Sequence, residues 1–583
     1  MKPLVILCLA VSLLPAQSWT QWGQNPQHTG AVGVSGQKLE KVYDKFQYDL
    51  LADAIRKEYG DLLVHYMAPI VDGDDVFMLQ RVGDWVSCRD NAPPCGPDVW
   101  ADMEWSVVKL KWVDGKLAVK WVAQTDWQPI PDNGSHWEPV FHPVLSGKFL
   151  YIPSLGGVLL KVDRETGEQV DLLNPFDNLD SNIYVTGPIA ADKDGNLFYN
   201  TMKVHPFEPW TRDAMGAWLV RVGADGRITS QTFQNLVPGA PAADAECFTI
   251  FNSFSLPWPP SPTALPDTYT CGSERPGVNV APAIAPDGTI YTVSRAHFNP
   301  SYGYLVAVNP DLTPKWTASL RDRLNDGCGV SLPDNGAKGG CREGATPGVD
   351  PATNMKPAGH VNDLSTASPV VTPDGAILYG AYTRYNSARG HLFKFSPAGD
   401  LLAAFDFGWD TTPAVFAHDG TYSVMLKSNH YGIPSYCGNP EFCLPDEEKY
   451  ELVSLNANLQ PEWKFLSTNN MACETLADGT QKCTPHSAGF EWCVNMVAVD
   501  QDGVMYANSE DGNVYAVDRN GKLVGNIFLQ LAVGAAYTPL AIGPDGKIYT
   551  QNAGALFVVG KAETAPAPAA AAIAPMTKSP SLH

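Results

Sequence analysis

At 583 residues and a formal net charge of −22, the chain presents a surface whose sign repels phosphate backbones and anionic lipid. No basic run offsets that charge, so nucleic acid and membrane surfaces are excluded as partners. Hydrophobic residues make up 44% of the chain and charged ones only 17%, with 51 Gly and 48 Pro; this excludes a mainly helical protein and suits short strands and tight turns around a sizeable core.

Residues 1–18 have the form of an export signal. Lys2 gives a positive start, Leu4 to Leu14 is an apolar stretch too short to cross a bilayer, and Ala16 and Ser18 place small residues for cleavage before Trp19. Cys8 follows Leu7 in a context poorly suited to lipid attachment, and no later segment approaches the roughly 18 uninterrupted apolar residues of a membrane helix. The mature chain is expected to be soluble, periplasmic or secreted, with no membrane span.

After the signal, Lys38 to Tyr48 (KLEKVYDKFQY) reads as a strand, and Leu50 to Tyr59 as a short helix, from the helical spacing of Leu51, Ala54, Ile55 and Leu62. Then a phrase recurs: Pro, a short apolar run, a turn that usually holds Asp-Gly, and an apolar strand with Tyr or Phe. It reads APIVDGDDVFML from Ala68, HPVLSGKFLYIP from His142, GPIAADKDGNLFYN from Gly187 and APAIAPDGTIYTV from Ala281. It returns as SPVVTPDGAILYG from Ser368, TPAVFAHDGTYSV from Thr412, VAVDQDGVMYAN from Val497 (without the Pro) and TPLAIGPDGKIYTQ from Thr538, eight copies in all. Asp-Gly supplies the backbone conformations of a tight hairpin, so each copy is two antiparallel strands.

A second hairpin follows most copies, as in YLVAVNPDLTPKWTASL from Tyr304 or YELVSLNANLQPEWKFLS from Tyr450. Two hairpins make a four-stranded sheet that cannot bury both faces alone but can do so when stacked radially, which is a propeller blade. The steps Pro143 to Pro188, Pro369 to Pro413 and Val497 to Pro539 each match the blade period of roughly 40–45 residues, and the remaining steps are that period plus insertions. The fold class is therefore all-β: a single eight-bladed β-propeller over residues 19–561. The last copy ends after ALFVVGK and lacks an outer strand, which the segment from Lys38 can supply. Residues 562–583, rich in Ala and Pro, have no periodicity and read as a disordered tail.

The insertions fall in the B–C and D–A connections, which share one face of the disc, whereas the A–B and C–D turns on the other face stay short. Ten cysteines pair as close neighbours within those insertions: Cys88/Cys95, Cys247/Cys271, Cys328/Cys341, Cys437/Cys443 and Cys473/Cys483. In an exported chain such neighbours read as loop-closing disulfides and not as metal ligands. Cys493 is left over and is expected to be unpaired and buried.

The opening WTQWGQNPQHTG (Trp19 to Gly30) and the turns VDRETGEQ and AVDRNGKL resemble the PQQ-like propeller repeat proteins of the quinoprotein alcohol dehydrogenase-like group. The resemblance spans nearly the whole mature chain and implies an eight-bladed fold. It also implies an alternative function, a PQQ- and Ca²⁺-dependent oxidoreductase, whose active members typically carry an adjacent Cys-Cys ring; this chain has no adjacent cysteines. The group includes a propeller lipoprotein of the outer-membrane barrel-assembly machine, an example of a binding role.

Residues just ahead of each first strand should line the channel mouth on the inserted face: His65, Tyr66, His142, Tyr184, Asn279, Asp363, Asp410, Asn495 and Tyr537. Trp137, Glu138, His360, Glu491 and Trp492 lie nearby in sequence. Flat aromatic surfaces with a few directed polar groups suit a small polar or sugar ligand, although propeller channels are commonly lined by polar side chains that serve only the fold. No metal site, nucleophile elbow or phosphate loop is legible, and Asp192 to Gly195 and Asp500 to Gly503 read as hairpin turns. The expected function is a non-enzymatic binding or scaffold protein that holds a protein, glycan or small polar ligand, without cofactor; a polysaccharide-active propeller enzyme is a further alternative.

Overall fold

Every copy of the recurring phrase folds as the inner two strands of a blade. The computed structural model describes residues 18–60, 62, 64–85, 100, 102–131, 139–251, 259–324, 327–328, 341–383, 389–408, 411–430, 449–492, 494–534 and 538–562. Blade 1 is typical: strands A to D are Ile70–Asp72, Asp75–Gly83, Met103–Val113 and Lys116–Gln124, antiparallel in that order. Inner strands A open blades 2 to 8 at Val144–Ser146, Ala190–Ala191, Ala283–Ile284, Val370–Val371, Ala414–His418, Ala498–Val499 and Ala541–Ile542. The A–B turn of blade 6 shows why the turn residues matter: Asp419 (φ 47°) and Gly420 (φ 76°) both take the left-handed conformation of a two-residue hairpin.

Both faces of the inner strands of each blade are buried, and the two-residue period of a strand divides its side chains between neighbours. In strand C of blade 4 (Gly303–Val308), Tyr304, Val306 and Val308 pack towards blade 3, while Leu305 and Ala307 pack towards blade 5. Buried clusters continue around the disc: Leu159 with Tyr199 between blades 2 and 3, Leu392 with Leu426 between 5 and 6, Leu452 with Val517 between 6 and 7. One cluster joins Val514, Leu556, Phe77 and Leu150, from blades 7, 8, 1 and 2. The wheel is closed.

Closure also uses the expected clasp. Strand Lys41–Gln47 pairs antiparallel with Ala555–Gly560, from Lys41 opposite Gly560 to Gln47 opposite Ala555, and becomes the outer strand of blade 8. The short helix, Ala52–Tyr59, buries Ala52 and Ile55 and stops at Gly60, which adopts φ 91° and donates its N–H to the Arg56 carbonyl. At three junctions a strand-D tryptophan lies on the C–D turn glycine of the next blade: Trp121 on Gly167, Trp316 on Gly399 and Trp463 on Gly521. A Cβ at Gly167 would come within 2.6 Å of the Trp121 ring, so the contact requires glycine.

The opening segment is used in a way its irregular pattern does not announce. Trp19 exchanges both backbone hydrogen bonds with Val71, and the Thr20 carbonyl accepts from Leu145. The Gln21 side chain bonds both ways with Ala191. The carbonyls of Pro26, Gln27, Thr29 and Gly30 then accept from Ile284, Val371, Val415 and Val499. Trp19 to Gly30 is thus a strap that meets strands A of blades 1 to 7 in turn and closes the channel from the short-turn side.

On the opposite side, disulfides Cys247–Cys271, Cys328–Cys341 and Cys473–Cys483 are formed, all in D–A insertions. Two of them lie in extra hairpins, Glu246–Phe248 with Thr268–Thr270 and Met471–Thr475 with Gln481–Pro485. Cys88, Cys95, Cys437, Cys443 and Cys493 lie outside the described residues, as do the signal segment through Gln17 and the tail from Glu563. Among the described residues, no helix is long and apolar enough to cross a membrane.

Candidate functional site at the loop-covered face

The insertions are bonded to one another and form a layer. Asp213, in the B–C loop of blade 3, accepts from the backbone N–H of Ser273 at 2.7 Å and from its hydroxyl at 2.6 Å. Across the next junction the Phe251 N–H donates to the Ala352 carbonyl, Arg342 to the Pro259 carbonyl, and the Asn354 amide to the carbonyls of Ser261, Pro262 and Ala264. Ordering such loops costs roughly 1–2 kcal/mol per residue in backbone entropy; these bonds and the disulfides offset part of it for the described loop residues.

Beneath that layer Asn279 joins five blades. Its N–H donates to Thr186, its Oδ1 accepts from the Val140 N–H at 2.7 Å, and its Nδ2 donates to the Asp363 carbonyl and lies 3.5 Å from His65 Nδ1. It adopts φ 70°, a left-handed conformation that asparagine tolerates better than most residues. Trp22 of the strap packs with Val140 and Ala281 just below. Among the described residues, the floor of the mouth is thus packed by the strap.

Beside Asn279 lies a buried charge cluster. Arg275 grips Asp363 with two hydrogen bonds of 2.8 and 2.6 Å, and Arg295 adds a third at 3.0 Å. Burial alone would raise the Asp363 carboxyl, but the two guanidinium groups outweigh it and hold it well below the usual carboxylate range. Arg275 also donates from Nε to His297 Nδ1, and burial, then Arg275 and Arg295, push that imidazole down to about 3. Burial raises Glu274 to about 7, although Ser294 donates to it at 2.5 Å. The Trp210 ring stacks parallel to His297, and the Arg275 guanidinium sits 5.7 Å from its centre. Arg275 and Arg295 spend their hydrogen bonds on Asp363, His297 and backbone carbonyls and so fix the geometry of the mouth, while Glu274 Oε1 and His297 Nε2 are buried without a partner among the described residues.

The sequence-derived candidates divide into distinct environments. Asn279, Asp363 and His65 meet. His142 is buried in edge contact with Trp22; its Nδ1 donates to the Pro143 carbonyl, and burial lowers it to about 4. Tyr66 is committed to the fold, because its hydroxyl donates to Asp49, itself clamped by Arg81 at 2.6 Å. Tyr184 is half-buried at a strand edge. His360 is 3.2 Å from the Ser301 hydroxyl, in a small cleft under the insertions. Trp492 turns into the core between blades 6 and 7 beside Tyr515, Glu491 bonds to Glu510 through the backbone, and Asn495 is fully buried. Trp137, Glu138, Asp410 and Tyr537 lie outside the described residues. Missed in the sequence were Arg275, Arg295, His297 and Trp210; the signal was an arginine inside two strand-forming phrases, SERPG and SRAH.

The chain has a likeness to known proteins. The likeness is one of structure alone. Over 92% of this chain and 89% of the other it is similar to a europium-containing methanol dehydrogenase, at 12% identity and a TM-score of 0.49. A quinohemoprotein alcohol dehydrogenase from Comamonas testosteroni matches over 95% of this chain and 82% of its own, at 12% identity and 0.49. BamB from Moraxella catarrhalis matches over 90% and 100%, at 11% and 0.39. No family model matches the chain, and no curated protein matches it.

Both Asp363 oxygens are engaged by guanidinium groups, Trp22, Val140 and Ala281 pack together under the floor of the mouth, and among the described residues no three His, Cys, Asp or Glu converge on a cation site.

Proposed function

We propose that the protein is a non-enzymatic binding propeller that acts outside the cytoplasm and holds a protein partner on its loop-covered face. One observation carries the reading. Phe207 (76% exposed), Met215 (56%), Leu265 (58%) and Tyr269 (55%) are large apolar side chains held in water on loops that are cross-bonded and disulfide-stapled. Rigid, exposed apolar side chains are what a protein interface uses, because little ordering entropy remains to be lost on binding. Asp244, Glu246 and Asp267 of the same insertion, which between Phe233 and Ser273 holds no Lys or Arg, add a negative border. The partner surface is therefore apolar with a cationic rim.

The experiment compares affinity capture from the native extracytoplasmic fraction by the wild type, by a Phe207→Asp/Tyr269→Asp double variant, and by a rim control, Val170→Asp. The proposal requires a partner that the control retains, the double variant loses, and the purified wild-type protein binds directly. Equal capture by all three would refute it. Two arms separate the alternatives: dye-linked alcohol or sugar oxidation after addition of PQQ and Ca²⁺ would establish the oxidoreductase reading, and glycan-array binding lost with the double variant would move the ligand class from protein to glycan.

A further inference from the structure

The disulfides of the described residues differ in what can reach them. Cys247 and Cys271 are both 0% exposed and pack against Ala296, and Cys328 is 3% exposed beside a half-buried Cys341. Cys473 and Cys483 instead join the two strands of the hairpin Met471–Thr475 with Gln481–Pro485, Cys473 half-buried and Cys483 exposed. We infer that Cys473–Cys483 is a thiol-exchange site: a small-molecule thiol attacks the Cys483 sulfur, forms a mixed disulfide there and opens the staple of the hairpin.

Backbone bonds at the two ends of the hairpin fix its register. The Leu476 N–H donates to the Thr480 carbonyl and the His486 N–H to the Asn470 carbonyl. Hydrogen-bonded pairs therefore fall at Ala472/Thr484 and Glu474/Lys482, and Cys473 faces Cys483 at a non-hydrogen-bonded pair, where side chains come closest. The S–S bond thus lies across the two strands. Exchange is an in-line displacement, so the attacking thiolate must approach along the extension of that bond. Beyond Cys473 the way is taken by the connection from blade 7 to blade 8: the Ala532 N–H donates to the Cys473 carbonyl, and the Thr475 N–H to the Gln530 carbonyl. Beyond Cys483 lies the outer edge of Gln481–Pro485, which pairs with no further strand among the described residues. The Cys483 sulfur is the open one.

The reagent is an anion, because the thiolate and not the thiol attacks. Side chains alternate along a strand, so Met471, Thr475, Gln481 and Pro485 share the cysteines' face, all of them neutral, while Glu474 and Lys482 face the other way. In a chain of net charge −22, that face offers an approach without a carboxylate. In the first step the thiolate bonds to the Cys483 sulfur, the old S–S bond breaks, and its electron pair leaves on Cys473, which takes a proton from water. A second thiolate attacks the external sulfur, giving the small-molecule disulfide and a Cys483 thiolate that is protonated in turn. Two thiols are oxidised, and the cysteine pair takes up two electrons. The effect passes beyond the hairpin, because Leu531, between the two residues bonded to it, is itself bonded both ways to the Asn552 side chain of blade 8.

The test incubates the full, oxidised chain with reduced glutathione, quenches with acid at intervals, alkylates and maps the peptides by mass. Glutathione should appear on Cys483, with alkylation of Cys473, about tenfold or more faster than at Cys247, Cys271, Cys328 or Cys341. Gln481→Lys should speed the reaction and Gln481→Glu slow it, severalfold each and less so at high salt, since the new charge shares the face of the attacked sulfur. In a Cys473→Ser/Cys483→Ser variant the Thr475 and Ala532 amides should exchange with deuterium severalfold faster than in the oxidised wild type, while Ala555–Gly560 stays protected and shows that the wheel is intact. Reaction no faster than at Cys247–Cys271, adducts formed first on Cys473, Gln481 variants that react alike, or unchanged amide protection in the double variant would each overturn the inference. None of these results bears on whether a partner binds the loop-covered face.

Discussion

Replacing Asp363 with alanine tests whether the charge cluster holds the mouth together. The substitution leaves Arg275 and Arg295, only 1% and 7% exposed, as uncompensated cations in the interior. Removing one partner of a buried pair costs about 3–5 kcal/mol. Two guanidinium groups lose their partner here, but the Asp363 side chain is 20% exposed, so water can reach part of the gap and the cost stays at about 3–5 kcal/mol. That is a large share of the roughly 5–15 kcal/mol by which a folded domain is stable. Urea unfolding followed by circular dichroism reads it as a lower midpoint at unchanged slope. A triple variant, Asp363→Leu with Arg275→Met and Arg295→Met, should recover most of the loss, because an apolar set of similar volume needs no pairing. A loss below about 1 kcal/mol for Asp363→Ala, or no recovery in the triple variant, would refute the argument.

Further outcomes follow from single residues. Glu274, raised to about 7, gives stability that is complete below about pH 4.5 and lost as the pH rises to about 7; the difference is about 3 kcal/mol, and Glu274→Gln should remove this slope from urea midpoints measured between pH 5 and 8. Parallel curves for variant and wild type would contradict it. His28 and His142, both lowered to about 4 by burial, act in the opposite sense: their contribution is complete above about pH 6.5 and is lost as the pH falls to about 4. Their imidazole proton resonances should be unmoved at pH 5.5, and titration near 6.5 would show that the strap is open to water. Lys45→Pro, in the middle of the clasp, should expose Ala555–Gly560 to rapid hydrogen exchange; protection equal to wild type would mean that blade 8 does not depend on it. Non-reducing peptide mapping should recover Cys247–Cys271, Cys328–Cys341 and Cys473–Cys483, and any other partner for these six would undo the loop-staple account.

The blades were legible because their signals are local. Asp419-Gly420 specifies a hairpin within four residues, and the run YLVAV alternates between two neighbours without needing to know which they are. The clasp at Lys41–Gln47 was found by counting strands, since blade 8 otherwise lacks one. The strap was not legible, because Trp19 to Gly30 has neither helical nor strand period and spends its backbone bonds on six different blades and the Gln21 side chain on a seventh. Nor was the cluster, in which Arg275 and Asp363 are 88 residues apart and meet only once two blades stack. Trp492 shows the limit of reasoning by adjacency: it lies just ahead of an inner strand, yet its side chain follows the apolar core of blades 6 and 7 and not the channel.

Site-specific photo-crosslinking from the two sides of the wheel tests the binding account most directly. A benzophenone side chain placed at Phe207 or Tyr269 should capture a discrete partner in the native compartment, while the same group at Leu402 or Val524 on the outer rim, as exposed as Tyr269, should capture none. Crosslinks from the rim positions alone, or the same products from all four, would contradict the claim that the stapled loops form the working face.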